Sequence, residues 1–347
     1  MKTLLTFVAA SLFAVSTFAQ QPIPGLMPAP AATGSAGTTL GANTTSGAAG
    51  IDLANRVKLR GFVDFQYDNV DDEGSAHEKG FDTSADLDFL FDFSPVTAEL
   101  HSVLEPGGVG LEQAFFRFNI NRDFNLSFGR QLTVLGFEAD EAPNLYQVSH
   151  AYLGELGGVS LRRNYVDGIR ANFNNARFGF TLGLHNSLYD VDTHTNNGTV
   201  AVDLQAAVMI MPGLEGRIGY AHDSNDDSAI VGDDSIEQIN IWLSYAEGAL
   251  TTAIEYDNWE VYGTDAWNIM LMGSYQFNQL IALTLRYSHE DFEAGGTDTD
   301  TDRFTLGLGF TVTDNLGLRL EYSHGSVDTG ASDHDVDEFY AEGILTF

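Results

Sequence analysis

The chain has 347 residues, no cysteine, 49 acidic and 16 basic residues, and a formal net charge of -33 at pH 7. This charge excludes nucleic-acid binding, which needs a basic surface. The lack of cysteine excludes thiol catalysis and cysteine-ligated zinc. Length alone would allow two domains, but a single all-β barrel also reaches this size.

The N-terminal residues have the pattern of an export signal. Residues 1–19 contain Lys2, an apolar run over residues 4–15 and a small-x-small triplet that ends at Ala19, which predicts a secretory signal peptide. Residues 20–55 are rich in Pro, Ala, Gly, Ser and Thr, and such a segment buries too little apolar surface to fold. We therefore predict a flexible periplasmic segment at 20–55 and a folded domain at 56–347.

From residue 57 onward, apolar and polar residues alternate. In the first alternating stretch, Leu59, Val63 and Phe65 share one parity, while Arg60 and Asp64 share the other. Residues two positions apart share a face in a strand but not in a helix, so this period predicts strands. The sixteen predicted strands cover residues 59–68, 85–93, 97–105, 111–121, 126–130, 168–174, 177–186, 199–210, 214–222, 237–245, 250–257, 267–277, 280–290, 303–312, 316–323 and 339–347.

The connections between these strands alternate between short turns and mostly longer acidic segments. The longer ones cover residues 70–82, 187–198, 223–235, 291–302 and 324–337. Short turns at one end, longer loops at the other and an even strand number are typical of an outer-membrane barrel. A secreted soluble β-protein is the alternative, but aromatic residues near the strand ends, such as Tyr67, Tyr275 and Tyr322, and the terminal Phe347 favour the barrel. We predict an all-β, transmembrane, antiparallel β-barrel of about sixteen strands, a number that leaves an aqueous channel.

The third long connection, residues 129–167, differs from the others. It has nearly forty residues, and a loop of that length in a compact domain is usually functional or disordered. Its apolar residues, among them Leu135, Phe137 and Leu145, argue against disorder. This surface can be buried in the lumen or against a neighbouring subunit. We predict an inward-folded loop that narrows the channel.

Charged residues of this loop and of the polar parity are the candidate site. At the constriction we expect the loop acids Glu138, Asp140 and Glu141 to face the arginines Arg117, Arg130, Arg162, Arg163 and Arg170. These charges could filter ions or simply pair to hold the loop. The pore-wall candidates are Arg60, Asp64, Asp86, Asp88, Arg286, Arg303 and Arg319. Since the wall is nearly balanced in charge, most of the negative charge lies in the loops, which predicts a weak cation preference.

The same loop carries a family resemblance. The order Gly129-Arg130, Gly136-Phe137-Glu138, Asn144, Tyr146, Ser149 and Tyr152 resembles the signature of OmpL-like porin-2 β-barrels. The resemblance implies a porin in the outer membrane of a Gram-negative bacterium, passing small hydrophilic solutes or ions by passive diffusion. Its expected partners are outer-membrane lipid and lipopolysaccharide, the solutes, and two further copies in a homotrimer. The alternative is a structural or adhesion barrel that its own loop plugs.

Other chemistry has weak support in the sequence. His185 and Ser187 lie two apart at a strand end, but no catalytic motif surrounds them, so we predict no enzyme activity. We predict no cofactor and no metal site. The acidic tips at residues 298–302 and 333–337 are solvated surfaces or points where divalent ions bridge to lipid headgroups.

Overall fold

The computed structural model describes residues 51–54, 56–75, 77–152, 155–156, 159–161, 164–189, 200–224, 235–294 and 297–347. The predicted signal peptide and most of the predicted flexible segment lie outside these residues. The strands in the described part of the chain are β1 Ile51–Ala54, β2 Val57–Asp72, β3 Glu78–Phe93, β4 Val96–Glu105, β5 Gly108–Asn119, β6 Phe124–Leu132, β7 Glu155–Leu156, β8 Val159–Ser160, β9 Tyr165–Asn174, β10 Phe178–His185, β11 Ala201–Met211, β12 Leu214–Ser224, β13 Ser235–Glu247, β14 Leu250–Val261, β15 Thr264–Asn278, β16 Ile281–Ala294, β17 Thr297–Thr311, β18 Leu316–Asp328 and β19 Asp333–Thr346.

Sixteen of these strands form a closed antiparallel barrel, which confirms the predicted fold. Strands β2 to β6 and β9 to β19 each pair with their neighbours in chain order, and β19 pairs with β2 to close the ring. The short strand β1 is an addition to the ring and pairs with the start of β2. The flexible segment predicted at 20–55 is therefore too long at its C-terminal end, because Ile51–Ala54 already belong to the sheet.

The strands alternate as the sequence pattern requires. In β14, Ile254 and Tyr256 are 36% and 38% exposed, whereas Glu255 and Asp257 are each 2% exposed. The inner face of the ring is thus polar and the outer face apolar, which is the arrangement of a barrel in lipid. Closure also pairs the backbone groups of every strand with a neighbour, as a bilayer demands. Among the described residues, no helix is long and apolar enough to cross a membrane.

The acidic connections are shorter than predicted, because their ends are strand. Strand β2 extends to Asp72 and β3 starts at Glu78, and the pairs β16–β17 and β18–β19 continue in the same way through residues predicted as loop. Backbone pairing tolerates these acids because β-propensity depends on cross-strand partners. Tyr and His partners meet them there: His324 Nδ1 lies 2.9 Å from Asp337 Oδ1.

Loop 3, residues 133–164, is shorter than the predicted segment 129–167 because the flanking strands β6 and β9 extend into it. It contains a 3-10 turn at Ala142–Asn144 and the two-stranded β7–β8 hairpin. Leu135, Phe137 and Leu145 are 5%, 7% and 5% exposed, so these apolar residues of loop 3 are packed as the sequence indicates.

Candidate functional site

The first part of loop 3 follows inner-face side chains across several strands. The Arg170 guanidinium on β9 donates to the Leu132 carbonyl at 2.9 Å, and the Gln205 amide on β11 donates to the Val134 carbonyl at 2.6 Å. Further on, the Phe137 N–H donates to Glu255 Oε1 on β14 at 2.6 Å. Arg170 thus binds the end of β6 just before the loop, and Gln205 and Glu255 each satisfy a buried backbone group of the loop.

The middle of loop 3 meets three arginines on neighbouring strands, which we call the arginine wall: Arg286 on β16, Arg303 on β17 and Arg319 on β18. Arg286 contacts Glu138 Oε1 at 2.7 Å and donates to the Ser149 carbonyl at 2.7 Å. The other two arginines bind backbone carbonyls of the loop, with 2.9 Å from Arg303 to Ala151 and 2.9 Å from Arg319 to Gln147. A guanidinium has five N–H donors in a fixed fork, so it suits the binding of several carbonyls.

A carboxylate completes this attachment from the same wall. Glu321 on β18 accepts hydrogen bonds from the Val148 N–H at 2.5 Å, the Ser149 N–H at 3.2 Å and the Ser149 hydroxyl at 2.5 Å. Hydrogen bonds to charged groups are roughly twice as strong as neutral ones. The segment around Ser149 is therefore held by Arg286 and Glu321 from two strands.

Apolar contacts reinforce the polar ones. Phe137 packs edge to face against Trp242 of β13, with ring centroids 5.4 Å apart, in a cluster that also includes Met270. Leu135 lies over Gly219 of β12, where an added Cβ would come within 2.0 Å of the Leu135 side chain. Glycine at this inner-face position makes room for the loop.

A second part of the inner face, separated from the arginine wall by β19 and β2, is acidic. We call it the carboxylate wall: Asp86 and Asp88 on β3, Glu99 on β4 and Glu112 on β5. His101 on β4 lies among them, with Nδ1 2.8 Å from Asp88 Oδ1 and Nε2 3.1 Å from Glu99 Oε2. Loop 3 contributes Glu141, whose Oε1 is 3.8 Å from His101 Nδ1.

Two loop acids, three positions apart, have pKa values shifted in opposite directions. Burial alone would raise the pKa of Glu138, but Arg286, His150 and the Ala151 N–H hold that pKa below its usual range. Burial raises the pKa of Glu141 to about 7, because its contact with His101 only partly offsets desolvation and the nearby Asp88 carboxylate raises it further. The loop therefore presents an ionised acid to the arginine wall and a titrating acid to the carboxylate wall.

The structure pairs several predicted constriction residues differently from the expectation. Glu138 lies against Arg286 of β16 rather than against the arginines at the loop base. Asp140 accepts a hydrogen bond from the Tyr165 hydroxyl. The arginines predicted to face the loop acids instead contact acids on neighbouring strands. The distances are 3.6 Å from Arg117 to Glu99, 4.0 Å from Arg130 to Asp167 and 3.6 Å from Arg170 to Asp203. Arg162 and Arg163 lie outside the described residues.

The predicted pore-wall residues all belong to the inner face. Arg60, Asp86, Asp88, Arg286, Arg303 and Arg319 are buried there, and Asp64 is partly buried. Arg60 Nε contacts Asp88 Oδ2 at 3.0 Å. The three arginines that bind loop 3 lie on β16–β18, and the acids around His101 lie on β3–β5, although Glu321 of β18 and Arg117 of β5 carry the opposite sign.

A cavity beside loop 3 is lined by acids from the loop and from the wall. Its charged lining residues are Glu138, Asp140, His150, Glu255, Asp257 and Glu290. Among the described residues that line it, none is Lys or Arg.

His185 and Ser187 each have a carboxylate partner on a different strand. His185 Nε2 lies 3.2 Å from Asp203 Oδ1, and the Ser187 hydroxyl donates to Asp223 Oδ2 at 2.6 Å. Asp223 also accepts a hydrogen bond from the Leu188 N–H at 2.7 Å, so it holds the first residues of the connection that follows β10.

Several residues of the site do not stand out in the sequence. Gln205, Glu255 and Glu321 bind the loop backbone, and only their polar parity marks them in advance. Glu112 lacks even that signal. His101 pairs with Gln113 and Ser102 pairs with Leu111, so Glu112 is the extra residue of a β-bulge, which shifts the alternation of β5 by one position.

Comparison with known proteins gives one family and many similar folds. The model of the OmpL-like beta-barrel porin-2 family matches residues 107–343, more than half of the chain. No curated protein matches the sequence. Solved structures with a similar fold include the outer-membrane channel DcaP of Acinetobacter baumannii, with 13% identity, a TM-score of 0.66, and coverage of 86% of this chain and 100% of that one.

Two further similar structures are outer-membrane proteins of other bacteria. The trimer form of OmpT of Vibrio cholerae has 16% identity and a TM-score of 0.59, and the match covers 84% of this chain and 100% of that one. An anion-selective porin of Comamonas acidovorans has 14% identity and a TM-score of 0.59, with 84% and 99% of the two chains covered. At these identities the likeness establishes the fold alone.

Proposed function

Because the chain belongs to the OmpL-like β-barrel porin-2 family, we propose that it is a diffusion channel of the Gram-negative outer membrane for small hydrophilic solutes or ions. The observation that carries this proposal is the closed sixteen-stranded ring with a polar inner face. A barrel of this size is wide enough to leave water inside, whereas eight strands are filled by side chains. The protein is then a passive channel and not an enzyme.

Loop 3 is the constriction in this proposal. Its backbone binds inner-face side chains of β11, β14, β16, β17 and β18, which supports a path across the lumen. The arginine wall is occupied by loop carbonyls and by Glu138, so these arginines act mainly as struts. The other acids around the neighbouring cavity then give the narrow zone its charge.

A weak cation preference follows from that charge. The cavity beside loop 3 is lined by five acidic residues. In the whole chain, 49 acidic residues outnumber 16 basic residues. An anion-selective porin with the same fold is known from Comamonas acidovorans, so the fold alone does not decide whether a channel prefers cations or anions. The inner charges of this chain decide it.

A homotrimer also fits this chain. The outer face exposes large apolar side chains, such as Phe116 and Phe118 on β5, and one protein of the same fold is described in trimer form. In a trimer, the two neighbouring copies would cover part of the outer face of each barrel, and lipid and lipopolysaccharide would contact the rest.

The test is single-channel recording of the full-length protein, refolded and inserted into a planar bilayer with a KCl gradient. We expect stable conductance steps and a reversal potential displaced toward the potassium equilibrium potential. A displacement toward the chloride potential would contradict the cation preference and leave the channel intact. A folded barrel with no conductance would contradict the channel and favour a structural or adhesion barrel plugged by loop 3.

A further inference from the structure

A group of carboxylates joins loop 3 to the carboxylate wall. One oxygen each from Asp86 of β3, Glu112 of β5 and Glu141 of loop 3 lie within 4.8 Å of one another. Three carboxylates brought this close repel each other strongly unless protons or a cation lie between them. The three acids come from three separate elements, so whatever neutralises them also fastens the loop.

Each of the three acids has one buried oxygen that accepts no hydrogen bond. Asp86 Oδ1, Glu112 Oε2 and Glu141 Oε1 are buried and have no hydrogen-bond partner. Asp86 is only 2% exposed, and its carboxylate points into the group. A buried acceptor without a donor is destabilising, and native proteins leave few such groups.

The nearby cations are already engaged by other acids. Arg60 contacts Asp88 at 3.0 Å, Arg117 contacts Glu99 at 3.6 Å, and His101 lies between Asp88 and Glu99. His101 also reaches Glu141, but at the longer distance of 3.8 Å. Even with His101 protonated, this region holds five carboxylates, on Asp86, Asp88, Glu99, Glu112 and Glu141, against three cations. Asp140, whose charge acts on Glu112, adds to the imbalance. With all five acids ionised, the excess of two negative charges matches a divalent cation.

The bulge on β5 builds this group. Strict alternation inward from Gln113 would place Glu112 toward the outer face. The bulge at Glu112, opposite His101 and Ser102 of β4, instead lets Glu112 reach the acids of β3. Leu111, which is 50% exposed, remains on the outer face. Bulges commonly re-aim a side chain at functional sites.

We propose that Asp86, Glu112 and Glu141 bind one calcium ion that ties loop 3 to the carboxylate wall. The ligands are all oxygens, which favours a hard cation over zinc. The three oxygens lie within 4.8 Å of one another, and two ligands of one calcium ion at about 2.4 Å each are at most about 4.8 Å apart, so the group is compact enough to share one ion. His101 is not a ligand, since both of its ring nitrogens face carboxylates. Water fills the remaining coordination positions.

Calorimetric titration of chelator-treated, refolded full-length protein with CaCl2 tests this site without any conductance measurement. We expect one calcium ion per barrel, with a Kd no weaker than about 1 mM, the weak end for extracellular calcium modules. Asp86→Asn and Glu112→Gln should each weaken binding by at least about tenfold, since even indirect partners of metal ligands contribute that much. Glu112 is partly exposed, so the Glu112→Gln barrel is expected to fold even where Asp86→Asn does not.

The matched control is the acidic group at the barrel rim, formed by His289, Asp291 and Asp300. Asp300→Asn should leave the one-to-one binding unchanged. Calcium should also raise the Tm of the wild-type barrel and not that of the Glu112→Gln barrel. Absence of stoichiometric binding in the wild type, or binding that is lost in Asp300→Asn and retained in Glu112→Gln, would overturn the proposal. The carboxylates would then be neutralised by shared protons.

Discussion

Glu138 and Glu141 lie three positions apart in loop 3, yet the barrel treats them in opposite ways. Glu138 meets Arg286 of the arginine wall at 2.7 Å, and its pKa is lowered. Glu141 meets the carboxylate wall, and burial raises its pKa to about 7. The environment that the wall supplies, and not the residue type, therefore decides whether a loop acid stabilises the attachment. One side of the loop is held by its own charges, and the other needs protons or a cation.

Removing an arginine of the arginine wall should have the largest effect. Arg319→Ala removes the ion-pair partner of the buried Glu342 carboxylate, which lies 3.0 Å from the Arg319 side chain. It also removes the donor to the loop carbonyls of Leu145 and Gln147. We expect the free energy of unfolding to fall by about 3–5 kcal/mol, as for a broken buried ion pair. Single-channel conductance should rise and become noisier. Denaturant titration and bilayer recording measure these changes.

The control for that variant is an arginine outside the barrel. Arg122→Ala changes a side chain that is 89% exposed in the turn between β5 and β6, so stability and conductance should not change. Equal conductance in the Arg319→Ala and Arg122→Ala proteins would mean that the arginine wall does not hold the loop.

The same substitution at the two loop acids should give opposite results. Glu138→Gln removes the charge opposite Arg286 and should lower the free energy of unfolding by about 1.5–3 kcal/mol, the range for hydrogen bonds to charged groups. Glu141→Gln, measured at pH 8 in chelator, should leave stability unchanged or raise it, because the amide ends the repulsion by Asp88. A similar loss in both variants would show that the two walls do not differ.

The pH dependence of stability should separate the two acids further. The pKa of Glu138 in the folded protein lies below its ordinary value of 4.5, so its contribution is present above pH 4.5 and is lost as pH falls through the folded pKa. Glu141 has a folded pKa of about 7, so the folded state binds the extra proton between pH 4.5 and 7. Stability in chelator should therefore fall as pH rises through this window and level off above it.

Unfolding titrations across pH, compared between variants, check this sign. Glu141→Gln should flatten the dependence of the free energy of unfolding on pH between pH 4.5 and 7. Glu138→Gln should change this dependence only below pH 4.5. If Glu141→Gln leaves the slope in this window intact, the titrating group lies elsewhere.

The smallest effect is expected at the outer rim, far from either wall. Asp298→Asn and Asp300→Asn together should move the reversal potential toward chloride by a few millivolts at about 0.1 M KCl and not at all at about 1 M. Exposed charges are screened over about 10 Å at the lower salt and about 3 Å at the higher. A shift that persists at high salt would mean that these acids lie in the ion path rather than at its entrance.

The period of two predicts all sixteen barrel strands because one face of each strand meets lipid and the other the interior. The sequence pattern fails at the rim, where both faces are polar and the acids of β16 to β19 resemble loop. It also fails for the partners of loop 3. Glu138 pairs with Arg286, 148 residues later, and nothing local in the sequence marks that contact. The bulge at Glu112 is a third failure, since one inserted residue reverses every parity assignment beyond it.

The distance along the chain between loop 3 and its partners also sets an order of assembly. Arg319 binds carbonyls that lie 172 to 177 residues earlier, and Glu321 binds Val148 from 173 residues away. Such contacts form late because the intervening chain must first be brought together. We therefore expect the Ala142–Ser149 part of loop 3 to dock only after β18 has joined the sheet, so that forming the sheet and fastening this segment are two successive events.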